Sequence, residues 1–348
     1  MSAQQPFRSA SLDDRLIAEA GAGNTAEVQQ LLHEGANLEA KDLYGQTALF
    51  WAVQLGRPDT VRLLLEQGAN LETKDNYGQT ALIWAAQACR PDTAELLLKH
   101  GANVEAKDNR TYTALILAAR SGCNDTVKLL LEIRANIESQ DQYGNTALAW
   151  AARLDKADTV RVLMESGANP EAKESIDGAT PLILAAMGSI TRGYAATVKV
   201  LLANGANVEA KCTDERTALI WAVLRGHTDV VDLLLQNRAR IEAKDDIADS
   251  ALLLAVGRRK FDIVKLLLAN GANIEARVKS NGTTALMLAA ESGEAQTVKL
   301  LLHKGASMEA RDNDGKTALD FAARSGHTDI VQILRTQMVN PRRDGYKN

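Results

Sequence analysis

A stretch of 33 residues recurs along the chain, and this period constrains the fold more than any other feature. Asp42-Leu-Tyr-Gly-Gln-Thr-Ala-Leu-Phe-Trp-Ala returns as Asp75-Asn-Tyr-Gly-Gln-Thr-Ala-Leu-Ile-Trp-Ala. The Thr of that segment, or its substitute, falls at Thr47, Thr80, Thr113, Thr146, Thr180, Thr217, Ser250, Thr284 and Thr317. The successive steps are 33, 33, 33, 34, 37, 33, 34 and 33 residues. A degenerate copy precedes them, with Leu16 placed 33 residues before Leu49. Self-similarity at such a period marks a stack of small units, each too small to bury its own apolar face.

Each unit reads the same way physically. Thr47 is placed to cap the free N–H groups of a short helix, Ala48 to Leu55, which ends near Gly56. Pro58 and Asp59 open a second helix, since proline suits the first helical position and a carboxylate suits the positive helix end. The same Asp recurs at Asp92, Asp125, Asp158, Asp229, Asp262 and Asp329. Leu63, Leu64 and Leu65 give the second helix its apolar face, and Gly68 stops it. An extended stretch from Asn70 then ends in a turn at Gly78. The expected organisation is one array over residues 11–338. Its units lie near 11–41, 42–74, 75–107, 108–140, 141–173, 174–211, 212–244, 245–277, 278–311 and 312–338, between a flexible start (1–10) and a polar tail (339–348). Asp13, Asp14 and Arg15 give the first unit the polar cover an end repeat needs.

The 348 residues are 46% hydrophobic and 24% charged, enough to build a large core. A formal charge of -4 argues against a general nucleic-acid or anionic-membrane binder, which needs a basic excess. Three cysteines, Cys89, Cys123 and Cys212, are too few and too scattered for a disulfide framework and fit a reducing compartment. No apolar run approaches the ~20 residues that span a bilayer, and the residues after Met1 lack the apolar core of a secretory signal. These features read as a soluble protein of the cytoplasm or nucleus.

The pattern resembles the ankyrin repeat, in the form T-A-L-x-x-A rather than T-P-L-H-x-A; only Thr180-Pro181-Leu182 keeps the proline. The resemblance covers about residues 11 to 338. It implies an all-α solenoid of stacked antiparallel helix pairs with hairpin-like finger loops. It also implies non-catalytic binding of other proteins through finger tips and inner helices. Two departures stand out. The family's His is replaced by Phe50, Ile83, Ile116, Ala149, Ile183, Ile220, Leu253, Met287 and Asp320. Glu39, Glu72, Glu105 and their counterparts stand where the family usually carries Asn or Asp, so asparagine-hydroxylation chemistry is not implied.

Several rows are candidates for function. Trp51, Trp84, Trp150 and Trp221 share one place on the first helix, four residues after the Thr. They either floor a concave groove or pack between repeats. The family varies its binding residues one turn later, which corresponds here to Gln54, Gln87, Arg120 and Arg153. At the finger tips Tyr44, Tyr77 and Tyr143 recur, followed by Gln46, Gln79 and Asn145, while the fourth unit has Arg110 and Tyr112. Tyr and Arg anchor interfaces well because they bury much area and keep a polar handle. Glu39/Lys41 and its repeats form a ladder of alternating sign, read as exposed pairs of small worth. Fingers with Thr111, Glu215 and Ala248 lose the turn glycine, and extra residues fall around Met187 to Tyr194.

No catalytic motif, phosphate loop or metal-ligand spacing is visible. The five histidines are scattered singly. The reading is therefore a module that binds a partner protein or peptide, with no cofactor and no metal. The alternative is a small-molecule-binding protein or atypical enzyme using the aromatic-lined groove.

Overall fold

The computed structural model describes residues 11–245 and 250–339, with side chains described to 338. The expected flexible start, most of the polar tail and Ala248 lie outside the described residues. The chain divides into two compact units, Met1–Ser175 and Ile176–Asn348. The described residues form 20 helices, and after the first pair a short first helix alternates with a longer second one.

In the first unit these are α1 (Leu12–Ala22), α2 (Thr25–His33), α3 (Ala48–Gln54), α4 (Pro58–Glu66), α5 (Ala81–Gln87), α6 (Pro91–Lys99), α7 (Ala114–Ser121), α8 (Asn124–Glu132), α9 (Ala147–Arg153) and α10 (Ala157–Glu165). In the second they are α11 (Pro181–Met187), α12 (Ala195–Ala203), α13 (Ala218–Arg225), α14 (Thr228–Gln236), α15 (Ala251–Gly257), α16 (Phe261–Ala269), α17 (Ala285–Glu291), α18 (Ala295–His303), α19 (Ala318–Arg324) and α20 (Thr328–Val339). Within each unit odd helices pack on odd and even on even, and each pair packs on itself. Among the described residues no strand forms, only isolated bridges between Lys244 and Ser250 and between Arg277 and Thr284.

Local chemistry explains the helix ends. Thr80, Thr113, Thr146, Thr180, Thr217, Thr284 and Thr317 each accept a bond from the backbone N–H three residues on. Thr47 and Ser250 hold the same extended N-cap backbone without that bond. At Thr47 the expected side-chain cap is therefore corrected to a cap of backbone conformation alone. Pro58 and Pro91 stand at the start of second helices, each followed by its Asp. Where glycine usually ends a second helix, Arg134 and Arg238 take the left-handed conformation at φ 65°. A side chain there costs about 1–2 kcal/mol.

The core is a double row. Ala48, Leu49, Phe50, Ala52 and Val53 of α3 are buried, as are Val61 and Leu64 of α4, and the pattern repeats in the later pairs. Each fully buried Leu contributes about 1.5–3 kcal/mol only if a neighbour covers it. The residues that replace the His of the resembled pattern, from Phe50 to Met287, are at most 3% exposed. They fill core volume; the hydrocarbon side chains make no hydrogen bond there, while Met287 Sδ accepts from the Thr284 N–H at 3.4 Å. Asp320, the exception, accepts from the Thr317 backbone and hydroxyl, both at 2.8 Å. Those bonds hold its carboxyl below the usual range.

The Glu/Lys ladder proves to be a set of ties between repeats. Glu39 Oε1 accepts from Asn70 N at 2.8 Å and its Oε2 from the Thr73 hydroxyl at 2.8 Å. Glu72, Glu105 and Glu138 likewise accept from the backbone N–H of Asn103, Asn136 and Asn169, at 2.7–2.8 Å. Lys41 Nζ donates forward to the Lys74 carbonyl at 2.9 Å, and Lys74 to that of Lys107 at 2.8 Å. In the second unit Glu209, Glu242 and Glu275 repeat the forward bond. The reading of these residues as exposed pairs of small worth is thus corrected for these glutamates and for Lys41, Lys74 and Arg277, which reach the next finger.

Candidate functional site

The site is built on the fingers of the first unit, and an aspartate organises each one. Asp42 Oδ1 accepts from the N–H groups of Tyr44 and Gln46, both at 2.8 Å, which closes the turn. Its Oδ2 accepts from Trp51 Nε1 at 2.9 Å. Asp75 does the same for Tyr77, Gln79 and Trp84, and Asp141 for Tyr143, Asn145 and Trp150. Asp108 accepts from Arg110 N and Tyr112 N, and Leu117 stands at the Trp place of that repeat. One carboxylate thus fixes both the finger and the ring of the helix that follows. The Trp rings are half-buried, with the indole N–H spent inside and part of the ring left open.

Neighbouring tips are tied by their backbones. Asn76 N donates to the Tyr44 carbonyl at 3.0 Å, Asn109 N to that of Tyr77 at 3.0 Å, and Ser175 N to that of Tyr143 at 2.7 Å. Gly45 shows why the turn favours glycine. Its φ is +75°, and a Cβ would meet Asn76 N at 3.0 Å and Asn76 Oδ1 at 2.5 Å. With the backbone pinned, Tyr44, Tyr77 and Tyr143 remain 58%, 62% and 44% exposed. Such exposure leaves ring area free for another surface.

The candidate rows do not all face outward. Gln46 and Asn145 are 6% and 3% exposed, and Tyr112 is 5% exposed. They are packed into the fingers and present almost no surface. Burial pushes the Tyr112 phenol up, opposed by the charge of Arg120, so it stays a neutral hydroxyl. Gln54, Arg120 and Arg153 are half-buried, and Gln87 and Arg110 are exposed.

Seven of the candidates come together. A groove of about 310 Å³ is lined by Tyr77, Gln79, Trp84, Gln87, Arg110, Tyr112 and Arg120, with Asp108, Asn109 and Leu117. Gln79 Nε2 donates to Gln87 Oε1 at 3.3 Å across it. Trp150 and Arg153 adjoin through Arg120, whose guanidinium carbon lies 5.0 Å from the Trp150 ring centre. Trp51 and Asp42 line a separate hollow with Ile17, Leu55 and Arg57.

A family model described as ankyrin repeats matches residues 16–108, 104–174, 170–245 and 252–343. The chain belongs to the ankyrin-repeat family. Ankyrin repeats are in general protein–protein interaction modules. No curated protein matches this chain. Among its described residues no helix is long and apolar enough to cross a membrane.

Trp221, in the second unit, departs from the pattern of this ankyrin array. Cys212 stands where the finger aspartate belongs, and the buried Trp221 Nε1 has no hydrogen-bond partner. Arg216 and Arg225 instead stack over its ring, at 5.2 and 5.8 Å from the centre. Around the long turn after Met187, the buried His227 bonds the Met187 carbonyl through Nε2 at 3.1 Å.

Two features of the first unit escaped the sequence reading. The finger aspartates carried a signal, since each precedes its tip residue by two places and its Trp by nine. Cys89 and Cys123 form a disulfide across 34 residues, with Cα atoms 5.0 Å apart. One bond is no framework, yet it corrects the reading of the three cysteines as fitting a reducing compartment. The separation of one repeat plus one residue was the available signal. Cys89 takes φ 55°, where the neighbouring repeats have Gly56 and Gly122.

Proposed function

We propose that this ankyrin array is a non-catalytic adaptor that binds a partner protein or peptide through the finger tips and first helices of its first unit. The observation that carries the reading is the groove shared by Tyr77, Gln79, Trp84, Gln87, Arg110, Tyr112 and Arg120. The exposed Tyr44, Tyr77 and Tyr143 extend that face along the tips. Rigid aromatic anchors on a pinned backbone lose little entropy on binding. Gln46 and Asn145 serve as internal supports of the fingers.

The test is quantitative capture of the partner by wild type and by the Tyr44→Ala/Tyr77→Ala/Tyr143→Ala protein. Loss of about tenfold or more in affinity is expected for the triple variant, because central tyrosines are frequent hot spots. Unaltered affinity would remove the tips from the binding face.

A further inference from the structure

The groove has a chemical bias that its shape alone does not give. Tyr112 and Trp150 meet edge to face, with ring centres 5.9 Å apart and planes at 81°. The Arg120 guanidinium carbon lies 5.8 Å from the Tyr112 centre and 5.0 Å from that of Trp150. Arg153 approaches the same indole at 6.0 Å. Arg110 stands on the finger beside them, its backbone N–H held by Asp108.

Among the described residues none of these three arginines makes an ion pair. Arg153 Nε is buried without a hydrogen-bond partner. Of the nearby carboxylates, Asp108 spends its Oδ1 on the finger and Asp141 both of its oxygens. Asp108 serves two finger N–H groups, and Asp141 serves two finger N–H groups, the Asn145 amide and the Trp150 indole. Thr111, between Arg110 and Tyr112, takes φ 62° and buries an unpartnered hydroxyl. A branched residue held in that conformation is a strain that clusters at binding sites.

A guanidinium lying over aromatic rings is fixed in direction and keeps its N–H edge for a forked carboxylate bond. A long polyanion fits poorly, because the other tips of the first unit carry Leu43, Tyr44, Asn76, Tyr77, Gln142 and Tyr143, all uncharged. We propose that this groove recognises an acidic segment of a partner protein, with Asp or Glu carboxylates seated on Arg120, Arg153 and Arg110. The proposal rests on the binding-face reading above and names the chemistry of its occupant.

The experiment uses the full chain and a short fluorescent peptide carrying paired Glu residues beside a Tyr. Controls are the same peptide with Glu changed to Gln, and an oligouridylate. Wild type is expected to bind the acidic peptide and to lose about tenfold or more with the Gln peptide and in Arg120→Gln/Arg153→Gln. Arg120→Lys, which keeps the charge but not the fork, is expected to fall between, with all variants melting within a few degrees of wild type. No binding of the acidic peptide, equal affinity for the Gln peptide, equal affinity of the double variant, or tighter binding of the oligouridylate would each overturn the proposal. A partner captured through the tyrosines but indifferent to the arginine changes would remove the charge assignment and leave the binding face standing.

Discussion

At the scale of single residues, the finger aspartate does the most work per atom. Asp42, Asp75 and Asp141 each close a turn and hold an indole with one carboxylate. Cys212 interrupts that row, and the buried Trp221 N–H is left without an acceptor. Cys212→Asp is therefore expected to stabilise the protein, because each net hydrogen bond is worth about 1 kcal/mol and an unmade buried one costs more. Thermal melting checks this. A rise of a few degrees is predicted, and a fall would show that the finger at Cys212 cannot house the carboxylate. The repeat pattern showed which residues share a place, but not always which way they face. Tyr44 and Tyr112 are both tyrosines of a finger turn, yet one is 58% exposed and the other 5%. They stand two places apart on the turn, which carries Tyr112 inward towards Trp150.

At the scale of elements, the helix pairs were readable because their signals are local. Thr80 and its equivalents cap, proline opens and glycine closes, all within a few residues. The ties between repeats were not readable, because periodicity hides direction. Glu39 and Lys41 look like a pair on one strand, but each reaches a residue 31 to 34 places ahead. The disulfide belongs to the same class, joining the turn after α5 to the start of α8. Closing a loop of this length is worth about 3–4 kcal/mol through the unfolded chain. Labelling in denaturant should therefore modify one of the three cysteines before reduction and all three after it. Reductant should lower the melting temperature of wild type and leave Cys89→Ser/Cys123→Ser unmoved. Labelling of all three without reductant would contradict the bond.

For the molecule as a whole, the net charge of -4 sets the background against which a small cationic and aromatic groove stands out. That contrast could not be seen in composition, since it depends on Arg110, Arg120 and Arg153 meeting Tyr112 and Trp150 in space. The family was legible from the period alone, while the face proposed for binding rests on which rows are buried and which are open. The most direct test of the account is site-specific photo-crosslinking. A benzophenone side chain at Gln87, on the groove, is compared with one at the exposed Lys128 on α8. The account predicts a crosslink to the partner from position 87 and none from 128. Crosslinking from 128 with none from 87 would place binding on the second helices and contradict the assignment of the finger and first-helix face.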